Sequence, residues 1–361
     1  MKRILTIFTT AFTPTGGLTT VMMNYYRVMN KENLIIDFAS TNNPPQTLID
    51  EIHSYGSKYY KLPKRTNIIT YFISLKNLCR NYDLIHIHAN SATATLELQA
   101  AKWAGIKRRI IHNHSSRSQH KLLNQLLLPL YRKSYTSAIA CSNEAGIWLY
   151  GKNNFTILHN AINAERFKFD QTKRNKIRHE LKISDEEYIV GHVGKFMEAK
   201  NHPFLIRTFK NYHILHPNSR LLLVGDGELR PLIEHEIKIN GISDSVILTG
   251  LRSDIPDLLQ AMDIFLFPSI YEGMPLSVIE AQASGLPCII SDSVTKLVNI
   301  GKDIIQLSLN EDITHWVELL DKTKYKLLRE ERSIQNINLI TQKGYNITTE
   351  AERLTNIYNK L

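Results

Sequence analysis

The stretch FPSIYEGMPLSVIEAQASGLP, residues 267–287, carries two glutamates eight positions apart, Glu272 and Glu280, around Gly273 and Pro275. The apolar run 264–267 predicts a strand, 271–274 a turn, and Pro275 a first helical residue, where its missing N–H costs nothing. Glu272 then projects at the mouth of the strand, and Glu280 lies about a turn and a half into the helix. An ionised carboxylate only accepts hydrogen bonds. Two such acceptors at different depths suit a ligand rich in hydroxyls, and the helix N-terminus suits its phosphate. One buried carboxylate is as well explained by a structural ion pair; two around a helix start are less easily explained that way.

Other stretches repeat the pattern of strand, glycine turn and helix. In GHVGKFMEAKNHPFLI, Gly194, Lys195 and Lys200 place two ammonium groups near a strand end, and such point charges match the oxygens of a diphosphate; solvated loop lysines would read the same. Gly16 and Gly17, in TPTGGLTT, let backbone amides approach a phosphate or simply make a turn. In LLLVGDGELRPLI and VILTGLRSDIPDLL, Asp226, Glu228 and Asp254 are ordinary first-turn residues of helices. The backbone around Gly225 and Leu251 is a candidate lining for a base. RRIIHNHSS puts His112 and His114 on one face of a strand, and DLIHIHANS does the same with His86 and His88. His114, at the extreme end, is the candidate for a ligand crevice. The chain has no Asp-x-Asp pair and no HExxH, so no metal and no other cofactor is expected at this site.

These residues must be held by elements that leave them at strand ends. Continuous apolar runs at 4–8, 34–38, 84–88, 109–114, 138–141 and 156–158, then at 188–193, 220–224, 246–249, 264–267, 287–291 and 304–307, are separated by segments of helix length. That is the pattern of parallel strands covered on both faces, twice over. A chain of 361 residues exceeds one ordinary core, and the junction is placed near 167–178, where FDQTKRNKIR interrupts the apolar periodicity. Ile347, Ala351, Leu354, Tyr358 and Leu361 share one face of a final helix that must dock on something.

Charge is segregated. Residues 1–168 hold 21 Lys and Arg against 8 Asp and Glu, the rest 23 against 26, within a whole-chain net charge of +10. A cationic first half implies an anionic partner for that half. Nucleic acid is disfavoured for want of an aromatic platform or known motif. The helix RSQHKLLNQLLLPLYRK groups Leu122, Leu123, Leu126, Leu127 and Leu130, with Arg117, Lys121, Arg132 and Lys133 around them. Its leucines either pack on the sheet, the preferred reading, or rest on an anionic membrane surface. Cys79, Cys141 and Cys288 are odd in number and far apart, which fits a reducing compartment, and the chain is read as cytoplasmic. Residues 4–26 lack charge, but Pro14, Gly16, Gly17 and many threonines argue against a membrane span.

Taken in order, these motifs resemble the GT-B glycosyltransferases of family 4, the retaining group with an E-x7-E motif, and are similar to bacterial exopolysaccharide and capsule members. The resemblance spans nearly the whole chain: the GG loop, the His after RRII, ACSNEAG, ILHNAINAERF, HVGKFMEAKNH, LLLVGDGEL, ILTGLRSDI and the stretch quoted first. It implies two Rossmann-like doubly wound domains, 1–168 and 169–344, facing an interdomain crevice, with 345–361 returning to the first domain. It implies that Glu280 holds the ribose of a nucleotide sugar, Glu272 the sugar hydroxyls, the amides of Gly273, Met274, Pro275 and Leu276 the sugar and phosphate, and Lys195 and Lys200 the diphosphate. His114 would sit beside the transferred sugar. Lys195 stands where many relatives have arginine, and Thr295-Lys296 where many have an acid. The implied partners are a nucleotide-sugar donor, with UDP expected, a lipid-linked saccharide acceptor and an anionic membrane at the inner face of the plasma membrane. A nucleotide-sugar 2-epimerase of the same architecture, or a silent donor-binding subunit, shares these features.

Overall fold

The computed structural model describes residues 1–14, 16–115, 121–323 and 328–360. It forms two compact units, Met1–Ala161 with Ile347–Leu361, and Ile162–Asn346. Each is built on a parallel sheet.

In the first unit the strands are β1 (Lys2–Phe8), β2 (Leu34–Ser40), β3 (Tyr59–Lys61), β4 (Leu84–Ala89), β5 (Arg108–Asn113), β6 (Ser137–Ala140) and β7 (Thr156–Ile157). Their order is β3-β2-β1-β4-β5-β6-β7, all neighbours parallel. The order reverses between β1 and β4, so the strand ends there diverge and open a place for a ligand. Every residue of β4 is buried, its two histidines included. β3 has only the three residues YYK at the sheet edge, too short to carry a period and without an apolar run. The final helix, Ile347–Lys360, buries Ile347, Ala351, Leu354 and Tyr358 in this unit. Lys2 Nζ donates to its Tyr358 carbonyl at 2.6 Å, and the buried Glu350 accepts the His159 N–H at 2.8 Å.

The second unit contains β8 (Tyr188–Val193), β9 (Ser219–Val224), β10 (Val246–Gly250), β11 (Ile264–Phe267), β12 (Cys288–Ser291) and β13 (Ile304–Leu307), in the order β10-β9-β8-β11-β12-β13. Alternate residues feed opposite faces. Ile189, Leu222, Phe265 and Phe267 enter one core; Val190, Leu221, Leu223 and Leu266 enter the other. Here the order reverses between β8 and β11.

Two sequence expectations change. The units divide between Ala161 and Ile162, ahead of the 168/169 junction, because Ala164 and Phe167 are buried in the second core and Ile162 N–H donates to Tyr345 O at 3.0 Å. The polar stretch after it is the helix Gln171–Glu180, not a linker: Arg174 donates to the carbonyls of Gln260, Ala261 and Met262 and pairs with Asp263 at 2.6 Å. The leucine-rich helix, Lys121–Arg132, is the second correction. Leu122, Leu123, Leu126 and Leu130 face solvent, with Leu122 and Leu126 79% and 78% exposed. The side chains it buries are Asn124 and Tyr131, and only Leu127 of the leucine group packs on the core. Asn124 Oδ1 accepts the Ala92 N–H at 2.7 Å, which fixes the helix with Leu122, Leu123, Leu126 and Leu130 turned outward while Leu127 and Leu128 pack inward.

Candidate active site

The strands at the reversal of the second sheet deliver the site. After β8 the chain passes Gly194, Lys195 and the short helix Glu198–Lys200, then Asn201 in a left-handed conformation (φ 54°), then the helix His202–Leu215. After β11 it runs out to Ile270, whose N–H donates to Ala199 O at 2.8 Å. That bond clips the two loops together, and it brings Lys200 Nζ to 2.7 Å from Glu272 Oε1. The ammonium also lies 4.4 Å from the centre of the Phe267 ring, an attraction to the ring face. Both side chains of the pair are largely covered.

Glycine is required at two points. Gly225 has φ +146°, and a Cβ there would lie 2.0 Å from Gly194 O. At Gly194 a Cβ would press on Lys200 Cε at 3.1 Å and on His192 Nε2 at 2.9 Å, so the missing side chain is the space through which Lys200 reaches Glu272.

The helix Leu276–Ala283 begins beside this pair. Pro275 is its N-cap rather than its first residue; no side chain bonds its start, and no acid occupies its first turn. Its leading amides therefore point their partial positive charge at whatever anion arrives. Glu280, on the same helix, is half-buried, and burial pushes its carboxyl up to about 7, opposed only in part by Arg166. Among the described residues no side chain or amide hydrogen-bonds this carboxyl, so it is an acceptor in want of donors.

Lys195 is not drawn to Lys200. It is exposed and pairs with Glu228 at 3.0 Å. Asp226 pairs with Arg230 at 3.2 Å and takes the Gly227 N–H at 2.8 Å, the structural role its position suggests. Leu251 is exposed in the turn after β10; Arg252 beside it is held by Asp254 and Glu180 at 2.6 and 2.9 Å. Sequence reasoning passed over His192 and His202, both fully buried with rings 5.0 Å apart. Burial and the Lys200 charge lower His202 to about 4, so both rings are neutral walls beside the lysine. The signal was present: His192 lies two residues before Gly194, on the same face of the strand.

In the first unit, Gly16 caps the helix Gly17–Val28 without a side-chain bond. His114 follows β5 directly. Its Nε2 is 2.9 Å from His88 Nδ1 and its Nδ1 3.3 Å from Asn160 Oδ1, so both nitrogens are already engaged. Burial lowers it to about 4, so it is neutral at physiological pH. Lys121 and Lys133 are exposed; Arg132 donates to Leu149 O at 3.3 Å, and Arg117 lies outside the described residues.

Two units, each built on a Rossmann-like parallel sheet, make up the GT-B architecture. The chain belongs to the glycosyl transferases group 1 family, whose model matches residues 173–322. It is 31% identical over 361 residues to the putative glycosyltransferase EpsF of Bacillus subtilis, covering 95% of this chain and 93% of that one. It is 28% identical to the UDP-Gal:alpha-D-GlcNAc-diphosphoundecaprenol alpha-1,3-galactosyltransferase of Escherichia coli, covering 79% and 78% of the two chains. The crystal structure of Anabaena HepE in complex with UDP and glucose shares the fold, with a TM-score of 0.82 over 100% of both chains at 16% identity.

Proposed function

We propose that this glycosyltransferase moves a sugar, with retention, from a UDP-sugar to a lipid-linked glycan during exopolysaccharide or capsule synthesis at the inner face of the plasma membrane. The observation that carries the reading is the Lys200–Glu272 pair beside an uncapped helix start, with Glu280 at a second depth. A diphosphate entering at that helix competes for Lys200 and releases Glu272 to accept hydroxyls of the sugar. Glu280, short of donors, takes the two ribose hydroxyls. Lys195, once drawn from Glu228, adds a second charge to the departing diphosphate. The names of the Escherichia coli galactosyltransferase and of the Anabaena complex support UDP and a diphospholipid acceptor.

In this reading the acceptor hydroxyl attacks the anomeric carbon from the face the diphosphate leaves. The C–O bond to the diphosphate breaks, the new glycosidic bond forms, and the leaving phosphate oxygen takes the hydroxyl proton. Charge on the leaving group is stabilised by Lys200 and the helix start, so positioning and electrostatics do most of the catalysis. A metal is not needed for this step. Among the described residues no helix is long and apolar enough to cross a membrane, and the outward leucines of Lys121–Arg132, with Lys121 and Lys133, form the proposed lipid contact.

The test is release of nucleoside diphosphate from a panel of nucleotide sugars, without added divalent cation, with and without membrane extract. Release from one UDP-sugar that requires extract supports transfer to a lipid-borne acceptor. Conversion of donor without extract would favour an epimerase, and no turnover of any donor a silent subunit.

A further inference from the structure

We infer that His86, His88 and His112 form a binding site for one transition-metal ion of the zinc type in the first unit, independent of the donor-site reading. The three side chains stand on one face of neighbouring strands: His88 and His112 are direct partners across β4 and β5, and His86 lies two residues before His88. All three are at most 1% exposed. Their candidate ligand nitrogens lie within 4.8 Å of one another.

The hydrogen-bond pattern says what is missing. His86 Nδ1 is 2.6 Å from Tyr358 Oη, and His88 Nδ1 is 2.9 Å from His114 Nε2. The Nε2 atoms of both residues, and both nitrogens of His112, lie buried without a hydrogen-bond partner of good geometry; the Leu158 backbone is a polar neighbour of His112. Buried polar atoms without partners are costly, and a group of them facing one another calls for a shared partner. With His86 Nδ1–H donating to Tyr358 Oη and His88 Nδ1–H to His114 Nε2, both Nε2 atoms present lone pairs, and a neutral His112 that turns its N–H toward the Leu158 backbone presents a third. Lone pairs alone cannot satisfy one another; a cation satisfies all three.

Geometry agrees with a tetrahedral ion. With metal–nitrogen bonds of about 2.0–2.1 Å, three imidazole rings stand with centres about 5 Å apart. The ring centres here are 4.2, 5.5 and 5.2 Å apart for the pairs His86–His88, His86–His112 and His88–His112. Nitrogens that now lie within 4.8 Å of one another would have to turn in to about 3.4 Å to share one ion. Neutral imidazoles suit zinc, copper, iron and nickel, and Tyr358 and His114 are the outer partners that fix ring orientation in such sites. The ion would tie β4 to β5 and, through Tyr358, to the final helix.

The test uses the full chain without a polyhistidine tag, dialysed against a chelator and titrated with Co2+ and then Zn2+. One Co2+ per chain with visible d–d absorption, displaced by Zn2+, and a higher thermal midpoint with Zn2+, is the expected result. His112→Phe should weaken Co2+ binding at least about a hundredfold, and Tyr358→Phe about tenfold, with UDP binding unchanged in both. Folded wild-type chain that binds no stoichiometric Co2+, or a folded His112→Phe that binds it equally well, overturns the site. If His112→Phe does not fold, the wild-type stoichiometry and Tyr358→Phe decide: unchanged affinity in the latter overturns the assignment.

Discussion

Lys200 and Glu272 are one another's counter-ion, 2.7 Å apart, although they belong to loops that leave different strands. The bond from Ile270 N–H to Ala199 O holds those loops in register. The pair is thus a property of the second sheet's reversal point and not of either motif alone. Under the proposed function an arriving diphosphate would take Lys200 from Glu272 and leave that carboxylate to accept hydroxyls of the sugar.

Replacing Lys200 by Ala should lower turnover by about 10²–10³, the usual loss when one electrostatic stabiliser of a developing charge is removed. It also leaves Glu272 covered and unpaired. The double variant Lys200→Ala/Glu272→Ala should therefore unfold at a higher denaturant concentration than additivity of the single variants predicts. Steady-state turnover, far-UV circular dichroism and urea midpoints check this; near-normal turnover in Lys200→Ala removes the lysine from the mechanism.

Glu280 makes the stability of the chain depend on pH. Its carboxyl is raised from 4.5 to about 7 in the folded chain, so between those values the native state holds a proton that the unfolded state has lost. Stability contributed by this group is fully present below pH 4.5 and falls as pH rises through about 7, by about 3 kcal/mol at most. Glu280→Gln should flatten that part of the profile. Donor hydroxyls favour the ionised form, so the ratio of wild-type to Glu280→Gln affinity for UDP should rise about tenfold per unit up to pH 7 and then level off. Calorimetry at pH 5.5, 6.5 and 7.5 measures it, and a flat ratio would count against the ribose contact.

Gly225→Ala tests whether the backbone holds the site. The residue sits at φ +146° with its would-be Cβ 2.0 Å from Gly194 O. Strain of this kind costs about 1–3 kcal/mol, and relief requires Gly194 to move, which shifts the passage used by Lys200. A loss of stability in urea together with weaker UDP binding is expected; unchanged binding would show the two loops to be uncoupled.

Much of this was legible in the sequence because the relevant elements have strong periods. The apolar runs of β8, β9, β11 and β13 located the sheet, and Gly194 and Gly225 directly follow the first two of them. What escaped had no such period. β3 is three residues long, and the buried Arg178 and the largely covered Arg174 look like surface charge until carbonyls 260–262 are placed beside them. The outward leucines of Lys121–Arg132 show the limit of amphipathic reasoning. A helix with an apolar stripe must bury it on something, but the stripe does not say whether that is its own sheet or another surface.

Because Leu122 and Leu126 are exposed, Leu122→Asp and Leu126→Asp should each change stability in urea by no more than about 0.5 kcal/mol. A leucine packed in the core would cost several times that. If the stripe rests on lipid, the same substitutions should abolish sedimentation with vesicles containing anionic lipid. Lys121→Gln with Lys133→Gln should weaken it by about 1 kcal/mol per charge and make the remaining binding less sensitive to salt. Vesicle binding that survives both leucine substitutions would leave the stripe to a different partner, while a large loss of stability would mean that the leucines pack inside after all.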